Sequence, residues 1–160
     1  MGSAQICGFV AVSFLILTLL TDSSAACNCG GKNPTDLQQQ FCTSDIVATG
    51  KFVGAVIGDP DWFWVRYDFQ PTEVFKKPDK MFEINSLYTQ LVGTTCSYRH
   101  YNPFNDDEYI STGYLAEHRI IITLCSFIKP WNQITRGQRR GLVMIYAKRC
   151  NRMTGFFDEF

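Results

Sequence analysis

The residues of this chain whose types and spacing most invite chemistry are Cys27, Asn28 and Cys29. Immediately before them stand Ser24, Ala25 and Ala26, small residues that suit a processing site, and before those an apolar run from Phe9 to Leu20 (FVAVSFLILTLL). Together these read as a secretory leader over residues 1–26, although its opening MGSAQICG carries no Lys or Arg. Cleavage after Ala26 makes Cys27 the first residue and gives it a free α-amine. A disulfide at Cys27 and another at Cys29 would then clamp a terminus that normally frays, and hold the amine and the Cys27 carbonyl in one direction. The plainer reading is that two close cysteines are staples of a small exported domain. A lipid-modified terminal cysteine fits less well, because Ser24-Ala25-Ala26 lacks the leucine expected ahead of such a site.

Removing the leader leaves residues 27–160, enough for one domain with a real core. The apolar run of the leader is too short for a membrane span. Cys7 departs with it, and the cysteines that remain, at 27, 29, 42, 96, 125 and 150, form an even set. In an exported chain that implies three disulfides, with fifteen pairings open from sequence alone. There is no CxxC, and His100 and His118 lie far from a ligand spacing, so no metal or other cofactor of the protein's own is expected. Those two histidines read as members of a polar loop and a hairpin turn, no Ser/His/Asp set is evident, and an enzyme is not expected.

Charge excludes another class. The chain has 15 Lys and Arg against 15 Asp and Glu, the latter falling to 14 once Asp22 is removed, which argues against nucleic acid as a partner. A basic cluster near the C-terminus (Arg136, Arg139, Arg140, Lys148, Arg149, Arg152) reads as a solvated helix face, with a weak sulfated-matrix contact as the alternative. No Asn-x-Ser/Thr acceptor occurs.

The elements that must position Cys27 to Cys29 read as follows. Asn33-Pro34-Thr35-Asp36 opens a short helix, with Pro34 or Thr35 near its first turn, an apolar stripe of Leu37 and Phe41, and Gln38 to Gln40 largely facing water. Ser44 to Val56 is a strand bent at Gly50 and Gly54, and Trp62 to Phe69 is a second, which Thr72 to Phe75 continues or re-enters. Phe82 to Ile84, Leu87 to Val92, and a hairpin of Tyr109–Leu115 with Arg119–Leu124 around Ala116-Glu117-His118 complete the strands. Phe127 to Gln133 reads as irregular. Thr135 to Gln138 has capping-box spacing and opens a helix running through Leu142, Ile145, Tyr146 and Arg149. Strands at this spacing, with one helix early and one late, predict a mainly β fold, a small five-stranded Greek-key barrel. Residues 151–160 read as a loose tail.

Three stretches carry a specific resemblance: the CNC start, FCTSDIVATGKFVG (Phe41–Gly54), and CSFIKPWNQITRGQRRG (Cys125–Gly141) followed by Cys150. They resemble the tissue inhibitors of metalloproteinases over most of residues 27–150, the inhibitory N-terminal domain of that family. The resemblance implies a netrin-like module on a closed, oligonucleotide-binding-type barrel with flanking short helices. It also implies disulfides Cys27–Cys96, Cys29–Cys125 and Cys42–Cys150. It implies an inhibitory ridge of Cys27, Asn28, Cys29 and Gly30 joined to Thr94, Thr95 and Cys96, with Cys27 as the residue that reaches the zinc of a target protease. The partners so implied are secreted, matrix metalloproteinase-like zinc proteases met outside the cell. Ending ten residues after Cys150, the chain reads as a one-domain form.

Two positions depart from the family pattern. Asn28 stands where threonine or serine is usual, which bears on selectivity. Gly30-Gly31-Lys32 replaces an apolar residue and prolines, and reads as a loss of stiffness in the ridge. The alternative to an inhibitor is a non-inhibitory netrin-like extracellular binding or matrix module.

Overall fold

Strand β1 (Ile46–Ile57) divides the molecule's apolar residues between two cores. Side chains alternate across a strand. Ile46, Ala48 and Phe52 therefore join one cluster, with Val65, Tyr67 and Phe69 of β2 (Trp64–Lys76), Leu87 of β3 (Ser86–Gln90), and Ile120 of β5 (Arg119–Ile121) with Ile122 just after it. Val47 points the other way, into a cluster with Ile110 of β4 (Glu108–Ala116) and Phe127. That second core is closed by Leu37 and Phe41 of α1 (Leu37–Thr43), Leu142 of α2 (Arg136–Met144) and Tyr146 of α3 (Tyr146–Thr154). The computed structural model describes residues 27–59, 61–79, 83–91, 96–102 and 106–154, the last four as backbone alone. The leader, Phe82, Thr94, Thr95 and residues 155–160 lie outside the described residues.

With Ile128–Pro130 as β6, the strands form one mixed sheet in the order β1-β2-β3-β5-β4-β6, with β1 also pairing β4. The expectation of a small closed five-stranded Greek-key barrel of oligonucleotide-binding or netrin type is therefore corrected to a six-stranded mixed sheet with flanking helices and three disulfides. Two pairings account for the difference. Ile128–Pro130, read from the sequence as irregular, is strand β6, antiparallel to β4. Strand β3 runs parallel to β5, whereas a Greek key is antiparallel throughout. Glu83 and Ile84 are not in a strand, and Ile84 serves instead as a buried core residue.

The register of β1 against β2 shifts between Val47 and Ala48, and at its glycines between Thr49 and Gly50 and between Phe52 and Gly54. At the Thr49/Gly50 shift Thr72 is the extra residue of β2, and its hydroxyl meets the buried Thr49 hydroxyl at 2.9 Å. Gly50 is required there by close approach: an added Cβ would lie 2.4 Å from the Gln70 carbonyl oxygen and 2.6 Å from the Phe69 ring. At Gly54 the nearest atom is the Asp68 Oδ2, at 2.8 Å, the tip of a side chain that can swing away. We expect Gly50→Ala to cost about 2–3 kcal/mol by overpacking against backbone, and Gly54→Ala less than about 1 kcal/mol. Urea denaturation midpoints of the two variants check this, and equal losses would refute the assignment.

The capping box holds: Thr135 Oγ1 accepts from Gln138 N–H and Gln138 Oε1 accepts from Thr135 N–H. The helix expected to run on through Arg149 instead breaks at Ile145, between α2 and α3. The break lets the Tyr146 ring lie over Gly141, in the place a Cβ would occupy. The β4–β5 hairpin turns on Glu117 and His118, at φ 48° and 66°. Two left-handed residues fit the twist of the strands, and here they are not glycines.

Candidate functional site

Residues 27–32 have no regular structure of their own and are positioned by cross-links. Disulfides join Cys27 to Cys96 and Cys29 to Cys125, with Cα separations of 4.8 and 5.4 Å. The two segments that receive them are themselves joined, since Ser97 bridges Thr123 and Leu124 N–H donates to the Cys96 carbonyl at 2.9 Å. A tight turn at Thr123–Ser126 presents Cys125: Ser126 N–H donates to the Thr123 carbonyl, and Cys125 N–H to Thr123 Oγ1. The first and third residues of the segment are thus fixed to one hydrogen-bonded platform, with Asn28 exposed between them. Cys27 Sγ lies 3.3 Å from Cys125 Sγ, so the two disulfides pack on each other. The sulfurs of Cys27, Cys29 and Cys125 lie within 4.8 Å of one another, but each is bonded in a disulfide and offers no thiolate to a metal.

The third disulfide, Cys42–Cys150, ties the end of α1 to α3. Around it Lys76 Nζ donates to the Phe41 and Cys42 carbonyls, placing a cation on the C-terminal end of α1. The start of that helix is capped by Asp36, whose Oδ1 accepts from Gln38 and Gln39 N–H. Pro34 and Thr35 thus precede the helix. Gln40, expected on the wet side, is 2 % exposed, and its Nε2 donates to the Asn33 carbonyl.

After Cys29 the chain reverses. Lys32 N–H donates to the Cys29 carbonyl at 3.1 Å, with Gly30 and Gly31 at φ 59° and 76° between them. Paired positive φ values mark a tight turn that glycine occupies at no steric cost. The departure at Gly30-Gly31 therefore forms a defined turn. Asn28 Oδ1 reinforces it by accepting from Gly30 N–H at 2.9 Å. The sequence signal was present, since Gly-Gly marks a turn and Asn bonds backbone two residues on.

The basic cluster is divided by the fold. Arg136, Arg140, Lys148 and Arg149 are exposed. Arg139 is half-buried: it donates to the Ile134 and Trp131 carbonyls and stacks 4.5 Å over the Trp131 ring. His100, read as part of a polar loop, is buried and stacks on Phe52 at 4.1 Å, its Nδ1 2.9 Å from the Tyr98 hydroxyl. Burial holds its pKa below the usual histidine value and pushes that of Tyr98 upward. Both are core groups, and His118 is an exposed turn residue.

A disulfide-pinned segment set against a sheet, with capped helices behind it, defines a class of cysteine-framed module. The model of the tissue inhibitor of metalloproteinase family matches residues 25–154, and the chain belongs to that family. It is 32% identical over 133 residues to metalloproteinase inhibitor 3 of Scyliorhinus torazame, covering 82% of this chain and 60% of that protein. It is 28% identical over 150 residues to metalloproteinase inhibitor 3 of Xenopus laevis, covering 91% and 68%. Against metalloproteinase inhibitor 2 of Rattus norvegicus the identity is 29% over 159 residues, covering 94% and 69%. The chain thus spans between about 60% and 69% of the length of these relatives. The family is one of inhibitors and not of enzymes, and implies no cofactor held by the chain itself.

Proposed function

We propose that this chain is a secreted inhibitor of zinc metalloendopeptidases of the matrix-degrading kind, acting through residues 27–30 and the segment before Cys96. Such a protease holds zinc through three protein ligands and keeps one position for the attacking water. With the leader removed, the Cys27 amine nitrogen and carbonyl oxygen are the two ends of a five-membered chelate ring that displaces that water. The enzyme then has no nucleophile. Asn28 faces the pocket just past the scissile position, and Gly30, Thr94, Thr95 and Cys96 flank the contact. No peptide bond precedes Cys27, so nothing is placed for cleavage.

One observation carries the reading: the first and third residues of the segment are both anchored by disulfides to a single platform. Each such bond stabilises by about 2–4 kcal/mol, and the ordering cost of the segment is met before any protease arrives. The exposed basic face of α2 and α3 reads as solvated and takes no part. The test is N-terminal sequencing of the exported protein, followed by titration against the catalytic domain of a matrix-degrading zinc protease. A start at Cys27 and one-to-one inhibition are expected. A different start, or folded protein that leaves a panel of such proteases fully active, would replace this reading by that of a non-inhibitory binding module.

A further inference from the structure

We propose that Asn28 is a positioning residue that ends the cleft-filling run at Cys29 and turns Gly30 aside to the edge of the contact, so that this chain reads the protease pockets nearest the zinc and none beyond them. The inference rests on the inhibitor reading given above. An extended ligand lying in a protease cleft advances about 3.3 Å per residue and meets a new pocket at each step. Here the chain cannot continue in that way, because the Cys29–Lys32 turn reverses it at once. Three groups set the turn: the Cys29 carbonyl accepting from Lys32 N–H, the Asn28 carboxamide oxygen accepting from Gly30 N–H, and two glycines in the left-handed region.

The turn is anchored on both sides. Before it stands the Cys29–Cys125 disulfide. After it, Asn33 N–H donates to Gln39 Oε1 at 2.6 Å, and the Asn33 carbonyl accepts from the buried Gln40 Nε2 at 3.2 Å. Straightening residues 29–32 along a cleft would break the Gln40 bond, leaving a buried amide unpaired. The segment therefore enters as a two-residue wedge behind Cys27. Because Asn28 spends its oxygen on Gly30, it presents its amide nitrogen and methylene to the pocket.

The test pairs a readout of the turn with a readout of binding. Gly30 amide hydrogen exchange and inhibition constants would be measured for the wild type, Asn28→Ala, Asn28→Ser, Gly31→Ala and the Asn28→Ala/Gly31→Ala double variant. A cβ at residue 31 meets no atom within 4 Å, so that substitution acts through the backbone alone. Asn28→Ala should lose Gly30 protection and weaken inhibition by about three- to tenfold. Asn28→Ser, whose hydroxyl bonds the same amide more weakly, should restore part of both. The double variant should lose less than the product of the single losses, since both act on one turn. Narrowing the third pocket beyond the zinc in the protease should leave inhibition by the wild type within about twofold, the scatter expected of an uncoupled site. Full Gly30 protection in Asn28→Ala, unaltered inhibition by it, or strong sensitivity to the third pocket each overturns the proposal. Loss of inhibition in the wild type with Gly30 still protected overturns the inhibitor reading and this role with it.

Discussion

A single alanine added ahead of Cys27 is expected to abolish metalloprotease inhibition while leaving the fold intact. The extension turns the α-amine into a peptide nitrogen, which has no lone pair to give to zinc, and puts a residue where the chelate must close. Loss of at least about a hundredfold in affinity is expected, or roughly 2.8 kcal/mol at 1.4 kcal/mol per decade. Cys27 and Cys29 keep their disulfide anchors in that variant, so the three pairings and the thermal midpoint should be those of the unextended protein. Peptide mapping and a melting curve supply the control. Undiminished inhibition by verified, folded, extended protein would exclude amine chelation.

The second large effect is on pH. An α-amine titrates near 7.7–8.0, and only its neutral form donates to a metal. Affinity should therefore fall about tenfold, or roughly 1.4 kcal/mol, for each unit of acidity below that value. Stability follows a different group and a lower window. His100 is buried among Phe52, Tyr67, Tyr98 and Tyr109, and burial lowers its pKa. The folded state thus favours the neutral ring, and proton uptake favours the unfolded chain. The stability that His100 confers is fully present above its unfolded value of about 6.5, and is lost as the pH falls from there through the lower folded value. Between pH 8 and 6.5 affinity should decline at constant stability. Inhibition constants across that range decide the matter, corrected with a small zinc-binding inhibitor whose donor is already ionised. A flat corrected profile would remove Cys27 as the zinc ligand.

What could be read from the sequence was local. Capping at Thr135 depends on a side chain and a backbone group three residues away, and the stripe of Leu37 and Phe41 depends on one helical turn. Both were visible as spacing. The strands that form β1 and β2 were visible too, because their alternation and their glycines lie within the strands themselves. Partners chosen across the chain were not. Nothing local to Leu87 and Tyr88 says that they run parallel to Ile120 and Ile121, and nothing local to Ile128–Pro130 supplies β4 as its neighbour. His100 sits among polar residues in sequence and among aromatic rings in space. At the site, the cysteine framework was legible as a count, and its pairings came from a family resemblance. The Asn28–Gly30 bond lies outside what the family pattern supplies, although the Gly-Gly pair marks a turn at that place.

The spacing of the disulfides also sets an order of manufacture. Cys27, Cys29 and Cys42 find their partners 69, 96 and 108 residues further along. A chain that is threaded into an oxidising compartment from its N-terminus delivers these three thiols first, close together and with no native partner yet available. They must be kept from bridging one another, or be reshuffled by thiol–disulfide exchange once Cys96, Cys125 and Cys150 arrive. Correct assembly of the Cys27–Cys29 segment therefore waits on the translation of the far end. The residues made first are the last to be finished, and a chain interrupted before Cys125 carries the CNC sequence without the platform that aims it.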